Sequence, residues 1–254
     1  MLLLYHGHIL DPYTGIDAPR DLLIGDDGRI LEVGQELTPA AVTARFGAEV
    51  RTFDASGLTV SPGLVDVHVH FRDPGQTDRE DLYTGARAAA AGGYTTVVCM
   101  ANTAPTVDSV EMLRYVQDKA QKIDFVHILQ ACAVTKGLDG REMTDFEALH
   151  AAGAAAFTDD GVNLSDAGLC RAAMARAAAL GALLSFHEED RTLVPSPGVN
   201  YGSAAARRFG VPGARPESEE CMIARDIALA LRTGAKVSFQ HVSSANSVRL
   251  IRAG

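Results

Sequence analysis

The segment SPGLVDVHVHFRDPG, residues 61–75, places His68 and His70 at the end of an apolar run, with Arg72 just beyond. Side chains on a strand alternate between faces, so the two imidazoles point the same way. Other apolar runs end in polar residues too: Asn102 after YTTVVCM, Asp159 and Asp160 in AAAFTDD, His187 in ALLSFHEED and His241 in AKVSFQHVSS. Four neutral imidazoles and a carboxylate suit zinc or another first-row divalent metal. A single zinc ion does not need five donors, whereas two ions sharing a bridging carboxylate use them all. Such a pair holds a water between its ions, lowers the water's pKa and supplies hydroxide near neutral pH.

Each residue also has a plainer reading. A histidine closing a strand is often only hydrogen-bonded into the structure, Arg72 can be an exposed loop arginine, and Asn102 can cap a turn before Ala104-Pro105. The concentration argues for a site, because four of the eight histidines fall at strand ends. His6, His8, His127 and His150 do not, and the HGH pair at 6–8 is set aside as a metal site for lack of that context.

The elements that must carry these residues can be followed along the chain. Residues 1–60 hold short apolar runs split by turn signals, with Asp27-Gly28 a hairpin signal between DLLIG and RILEVG. Residues 61–254 alternate strand and helix. LVDVHVH is followed by EDLYTGARAAAAGG, YTTVVCMAN by SVEMLRYVQDKAQK, DFVHILQACAV by DFEALHAAG, AAAFTDD by DAGLCRAAMARAAALG, and ALLSFHEED by PESEECMIARDIALALRTG ahead of AKVSFQHVSS. This order predicts an α/β fold with a parallel sheet buried on both faces. Polar residues at the C-terminal ends of several strands favour a TIM-type barrel, whose mouth collects them, over a doubly wound sheet. About six of the eight strand–helix units of a barrel are present, and the last residues, LIRAG, read as helix.

Composition narrows the classes of function. The chain has 254 residues, a formal net charge of -9, 47% apolar and 22% charged residues. That describes an ordinary globular protein and argues against nucleic acid or an anionic membrane as partner. No window is apolar enough for a membrane span, and the N-terminus lacks the flank and cleavage site of a signal peptide. The four cysteines lack a CxxC pair, and Cys99 and Cys132 sit in apolar runs, so they read as reduced core residues of a cytoplasmic protein.

PGLVDVHVHFRDPG, AAAAGGYTTVVCMANTAP, FTDDG, SFHEED and QHVSS, in that order, resemble the amidohydrolase superfamily and within it the dihydroorotases that associate with aspartate transcarbamoylase. The resemblance spans nearly the whole chain. It implies a small β-sandwich domain, of which residues 1–60 are the N-terminal part, and a barrel domain over 61–254. It assigns His68 and His70 to one zinc ion, His187 and His241 to a second, and the bridge to Asp160, the second aspartate of DDG. Related hydantoinases and allantoinases carry a carboxylated lysine at the bridge, and AAAFTDDG has no lysine. Arg72 and Asn102 fall at positions that hold a substrate carboxylate, a task suited to a guanidinium's bidentate grip. MANT stands where MPNT is usual, which leaves Ala101 in place of a proline.

The implied reaction is the reversible cyclisation of N-carbamoyl-L-aspartate to L-dihydroorotate. The resemblance places a further aspartate, which moves the proton, beyond residue 254, so residues 1–254 alone are expected to have little or no activity. Open barrel edges favour association, hence an expected homo-oligomer. Two rivals remain: a hydantoinase or allantoinase, and a noncatalytic dihydroorotase-like partner of aspartate transcarbamoylase.

Overall fold

The computed structural model describes residues 1–194 and 198–254. It divides into two compact units, Met1–Gly63 and Leu64–Gly254. In the first, β1 (Leu2–Asp11), β2 (Ile16–Ile24), β3 (Ile30–Gly34), helix α1 (Pro39–Phe46), β4 (Arg51–Asp54) and β5 (Thr59–Val60) follow in order. The sheet runs β3-β2-β1-β4, with β5 also on β1. The β1–β2 and β2–β3 pairs are antiparallel, and β4 and β5 join β1 in parallel. The β2–β3 turn contains Asp27-Gly28, with Gly28 at φ 77°, a conformation that costs glycine little. Leu3, Leu23, Val42 and Val50 form the buried core of this unit.

The second unit alternates strand and helix. Its elements are β6 (Leu64–Val69), α2 (Leu82–Ala91), β7 (Tyr94–Cys99), α3 (Val110–Ala120), β8 (His127–Gln130), α4 (Phe146–Ala151), α5 (Ala167–Leu180), β9 (Leu183–Phe186), α6 (Ala204–Phe209), α7 (Glu217–Thr233), β10 (Lys236–Phe239) and α8 (Ala245–Ala253). β6, β7 and β8 pair in parallel in that order, as do β9 and β10. Phe157 joins the two groups through parallel bridges to Cys132 and Leu184. AAAFTDD is thus narrower than the strand the sequence suggests, since only Phe157 bridges both neighbours. Its backbone is still held on both sides, by Thr158 N–H to Cys132 O at 2.8 Å and Ser185 N–H to Phe157 O at 2.8 Å.

Short side chains cap the helices that follow the strands. Asp81 and Thr84 form a capping box on α2, Ser109 accepts from Met112 N on α3, and Asp145, Asp166 and Ser244 cap α4, α5 and α8. Leu113, Leu149, Met174, Leu184 and Phe157 pack in one core, where Phe146 and Phe157 stack with centroids 4.0 Å apart. Burial on both faces holds for residues 184–186 of β9 but not for β8, where Leu129 is 45% exposed, and it fails most clearly for β6, whose Val65 and Val67 are 58% and 57% exposed. Among the described residues β6 pairs with β7 alone, and an edge strand lacks the neighbours that would cover its side chains.

All four cysteines are free; Cys99, Cys132 and Cys170 are buried and Cys221 is exposed. Burial pushes the three buried thiols up to about 12, which makes them inert. No helix among the described residues is long and apolar enough to cross a membrane.

Candidate metal centre

The strand ends bring five predicted residues together. His68 and His70 close β6, Asp160 follows the Phe157 bridge, His187 follows β9 and His241 follows β10. Nε2 of His68 and Nε2 of His70 are 3.1 Å apart, and they lie 3.5 and 3.4 Å from the two oxygens of Asp160. On the other side, His187 Nδ1 and His241 Nε2 are 3.0 Å apart and lie 3.7 and 3.9 Å from Asp160 Oδ1. The residues thus form two groups, His68–His70–Asp160 and Asp160–His187–His241, each with donor atoms within 4.8 Å of one another, and Asp160 belongs to both.

This donor set fits metal ions. Zn–N bonds of about 2.0–2.1 Å at a tetrahedral angle put two ligand nitrogens about 3.4 Å apart, near the spacing of both histidine pairs. Tautomer control is also in place. His70 Nδ1 is 2.9 Å from Asn102 Oδ1, and donating that proton leaves the Nε2 lone pair facing Asp160.

Electrostatics hold the donors ready. Burial keeps the His68 and His187 imidazoles below their ordinary value, so both stay neutral more readily. His241 is held above its ordinary value by the Asp160 carboxylate. Burial alone would raise Asp160, but the imidazoles of His241, His68, His70 and His187 outweigh it and keep that carboxyl low.

Of the DDG pair, Asp160 faces the histidines and Asp159 faces away. Asp159 is buried, and its carboxylate accepts from Val134 N–H at 2.8 Å, Thr135 N–H at 3.0 Å and the Thr135 hydroxyl. Burial pushes it up to about 6 despite these donors.

Arg72 is half-buried at φ 56°, in the left-handed region that non-glycine residues seldom adopt. Its guanidinium has no hydrogen bond or ion pair among the described residues. Asn102 carries a task the sequence did not suggest: while Oδ1 meets His70, Nδ2 donates to Asp160 Oδ2 at 2.9 Å. One amide therefore orients two members of the same group. His6 and His8 instead meet single exposed carboxylates, Asp54 at 3.4 Å and Asp17 at 2.6 Å.

A cleft of about 410 Å³ adjoins the second group, lined among others by His187, Glu189, Tyr201, Arg215 and His241. That size is ordinary for a small-molecule site. Arg215 stacks over the Tyr201 ring at 4.7 Å, a cation at the cleft that no motif announced.

Residues 57–247 match the family model described as Dihydro-orotase-like. The chain belongs to the dihydroorotase-like family. It is 47% identical over 252 residues to a dihydroorotase of Clostridioides difficile, covering 99% of this chain and 58% of that protein. Against a dihydroorotase of Streptococcus pneumoniae the identity is 44%, over 99% of this chain and 57% of the relative. The chain thus spans somewhat under three-fifths of the length of these dihydroorotases. Among solved structures, an L-hydantoinase from Arthrobacter aurescens superposes with a TM-score of 0.80 at 21% identity, over 99% of this chain and 55% of that one. A dihydroorotase from Saccharomyces cerevisiae gives 0.54 at 16% identity, over 75% of this chain and 51% of that one. At such identities these likenesses speak to fold alone.

Proposed function

We propose that the protein acts as a dihydroorotase that interconverts N-carbamoyl-L-aspartate and L-dihydroorotate on two zinc ions. The observation that carries this reading is the position of Asp160, whose single carboxylate belongs to both histidine groups. His68 and His70 would hold one ion, His187 and His241 the other, and Asp160 both. When bound, such ions supply Lewis acidity and a water acidic enough to act as hydroxide near neutral pH.

The remaining work falls to side chains. The Arg72 guanidinium, free of protein partners among the described residues, grips the substrate carboxylate with two parallel N–H bonds. Asn102 fixes the His70 tautomer through Oδ1 and holds Asp160 through Nδ2, which donates to the carboxylate at 2.9 Å and to the backbone carbonyl at 3.4 Å; giving up the longer contact frees an N–H for a substrate oxygen. The sequence-ordered parallel units and the likeness to hydantoinase support a partial (β/α) barrel over residues 61–254, with residues 1–60 as part of a β-sandwich. A cytoplasmic location, further copies of the chain and aspartate transcarbamoylase as partner belong to the same reading; co-sedimentation tests the last two.

The decisive experiment is calorimetric binding to the zinc-loaded protein, with L-dihydroorotate set against hydantoin and allantoin. Preference for L-dihydroorotate of about 10-fold or more, lost in Arg72→Ala, supports the reading. Equal or tighter binding of hydantoin overturns it, and failure to retain zinc points to the noncatalytic alternative.

A further inference from the structure

Arg72 lies between two buried anchors. On one side Phe71 is 8% exposed and packs so closely on α2 that a Cβ at Gly85 would fall 2.3 Å from its ring. On the other side Asp73 is 4% exposed, and its carboxylate accepts from the Tyr115 hydroxyl at 3.0 Å and from Lys119 Nζ at 2.9 and 3.2 Å. Lys119 also donates to Tyr115 at 2.6 Å, so α3 presents a closed three-membered clamp. Beyond it, the turn is tied by Gln76 N–H to Arg72 O at 2.9 Å and by Ala104 N–H to Pro74 O at 3.2 Å. The second tie leads to the loop that carries Asn102.

A surface loop does not need a carboxylate sunk this deep. Burying it costs several kcal/mol unless partners compensate, and among the described residues the hydrogen bonds that compensate come from one helix. The effect is to fix the backbone on both sides of a residue that sits at φ 56° and spends its own side chain on no described protein partner.

Resting on the function proposed above, we propose that Asp73, clamped by Lys119 and Tyr115, is a positioning residue that aims Arg72 at the substrate carboxylate and so sets the preference for ring substrates that bear one. With the clamp released, the turn relaxes and the guanidinium samples other directions. Affinity for the carboxylate then falls, while contacts to the ring itself are untouched.

The test compares L-dihydroorotate with dihydrouracil, the same ring without the carboxylate, by calorimetry on the zinc-loaded protein. Asp73→Asn should weaken L-dihydroorotate about 10-fold, leave dihydrouracil within about 2-fold and leave zinc content unchanged. The double variant with Arg72→Ala should bind no more weakly than Arg72→Ala alone, which a merely structural role would not produce. Should Asp73→Asn fail to fold, Tyr115→Phe with Lys119→Met strips the clamp from the helix side and is expected to shift the same ratio in the same direction. An unchanged ratio in folded clamp variants, or additive losses, overturns the positioning role. An unchanged ratio in Arg72→Ala overturns both this role and the carboxylate assignment beneath it.

Discussion

Asp159 and Asp160 are adjacent in the chain, and their carboxylates face opposite ways. Asp159 is spent on Val134 and Thr135, while Asp160 lies 3.5 Å from His68 Nε2 and 3.4 Å from His70 Nε2. Consecutive residues in an extended segment point to opposite faces. One anchors the segment and the other serves the site.

Their substitutions should therefore differ in kind. Asp160→Asn keeps the shape but removes the charge shared by both groups, so zinc affinity should fall by more than about 100-fold with little change in folding. Asp159→Ala leaves two buried backbone N–H groups and the Thr135 hydroxyl proton without an acceptor, so it should cost about 3 kcal/mol, while the folded fraction keeps its zinc. Metal analysis and urea unfolding, run on both variants, check this; equal zinc loss in the two would contradict the division of labour.

Glu188 offers a pH signature. Burial first, and the negative charge of Asp226 second, push its carboxyl up to about 9. A carboxyl raised in the folded state stays protonated while its unfolded counterpart ionises from about 4.5 upward. The unfolded state is thus favoured progressively as pH rises through that window toward 9. Glu188→Gln removes the ionisation and should show a stability gain that widens from pH 5 to 8, at up to about 1.4 kcal/mol per pH unit. Thermal melts of both forms across that range decide it: parallel curves would mean that Glu188 is already charged.

Phe157 is the one residue of AAAFTDD that bridges both neighbouring segments, and it is fully buried against Phe146. Phe157→Ala should cost about 4 kcal/mol through the cavity it leaves. It should also loosen zinc binding, because Asp160 follows three residues later. Phe157→Leu, which fills most of the volume, should restore zinc binding while recovering only part of the stability.

How much of this was legible from the chain follows from sequence distance. His68 and His70 are two residues apart on an alternating strand, and their shared face could be read directly. His187 and His241 could be read as strand ends, though only the fold brings them within 3.0 Å. The Asp73 clamp leaves no local signal, because Tyr115 and Lys119 lie 42 and 46 residues away on a helix of ordinary pattern. Asn102 was visible as a polar strand end, but an amide that serves a histidine and a carboxylate at once leaves no mark on spacing. Similarly, AAAFTDD has the composition of a strand, while the length that pairs is set by its neighbours.

Two glycines with the same backbone angle provide the last test. Gly75 and Gly93 both sit at φ 81°, a conformation that costs an L side chain about 1 kcal/mol or more. A methyl group added at Gly93 would have nothing within 4 Å, whereas one added at Gly75 would fall 1.5 Å from the Ala104 carbonyl oxygen. Gly93→Ala should therefore lose only the conformational cost, about 1 kcal/mol. Gly75→Ala must also separate the Arg72 and Asn102 loops, and we expect a loss above about 3 kcal/mol together with failure to bind L-dihydroorotate. Urea unfolding of the two variants side by side measures the difference. A Gly75→Ala protein as stable as Gly93→Ala would mean that the loops part at little cost, and that their interlock does not hold the carboxylate site together.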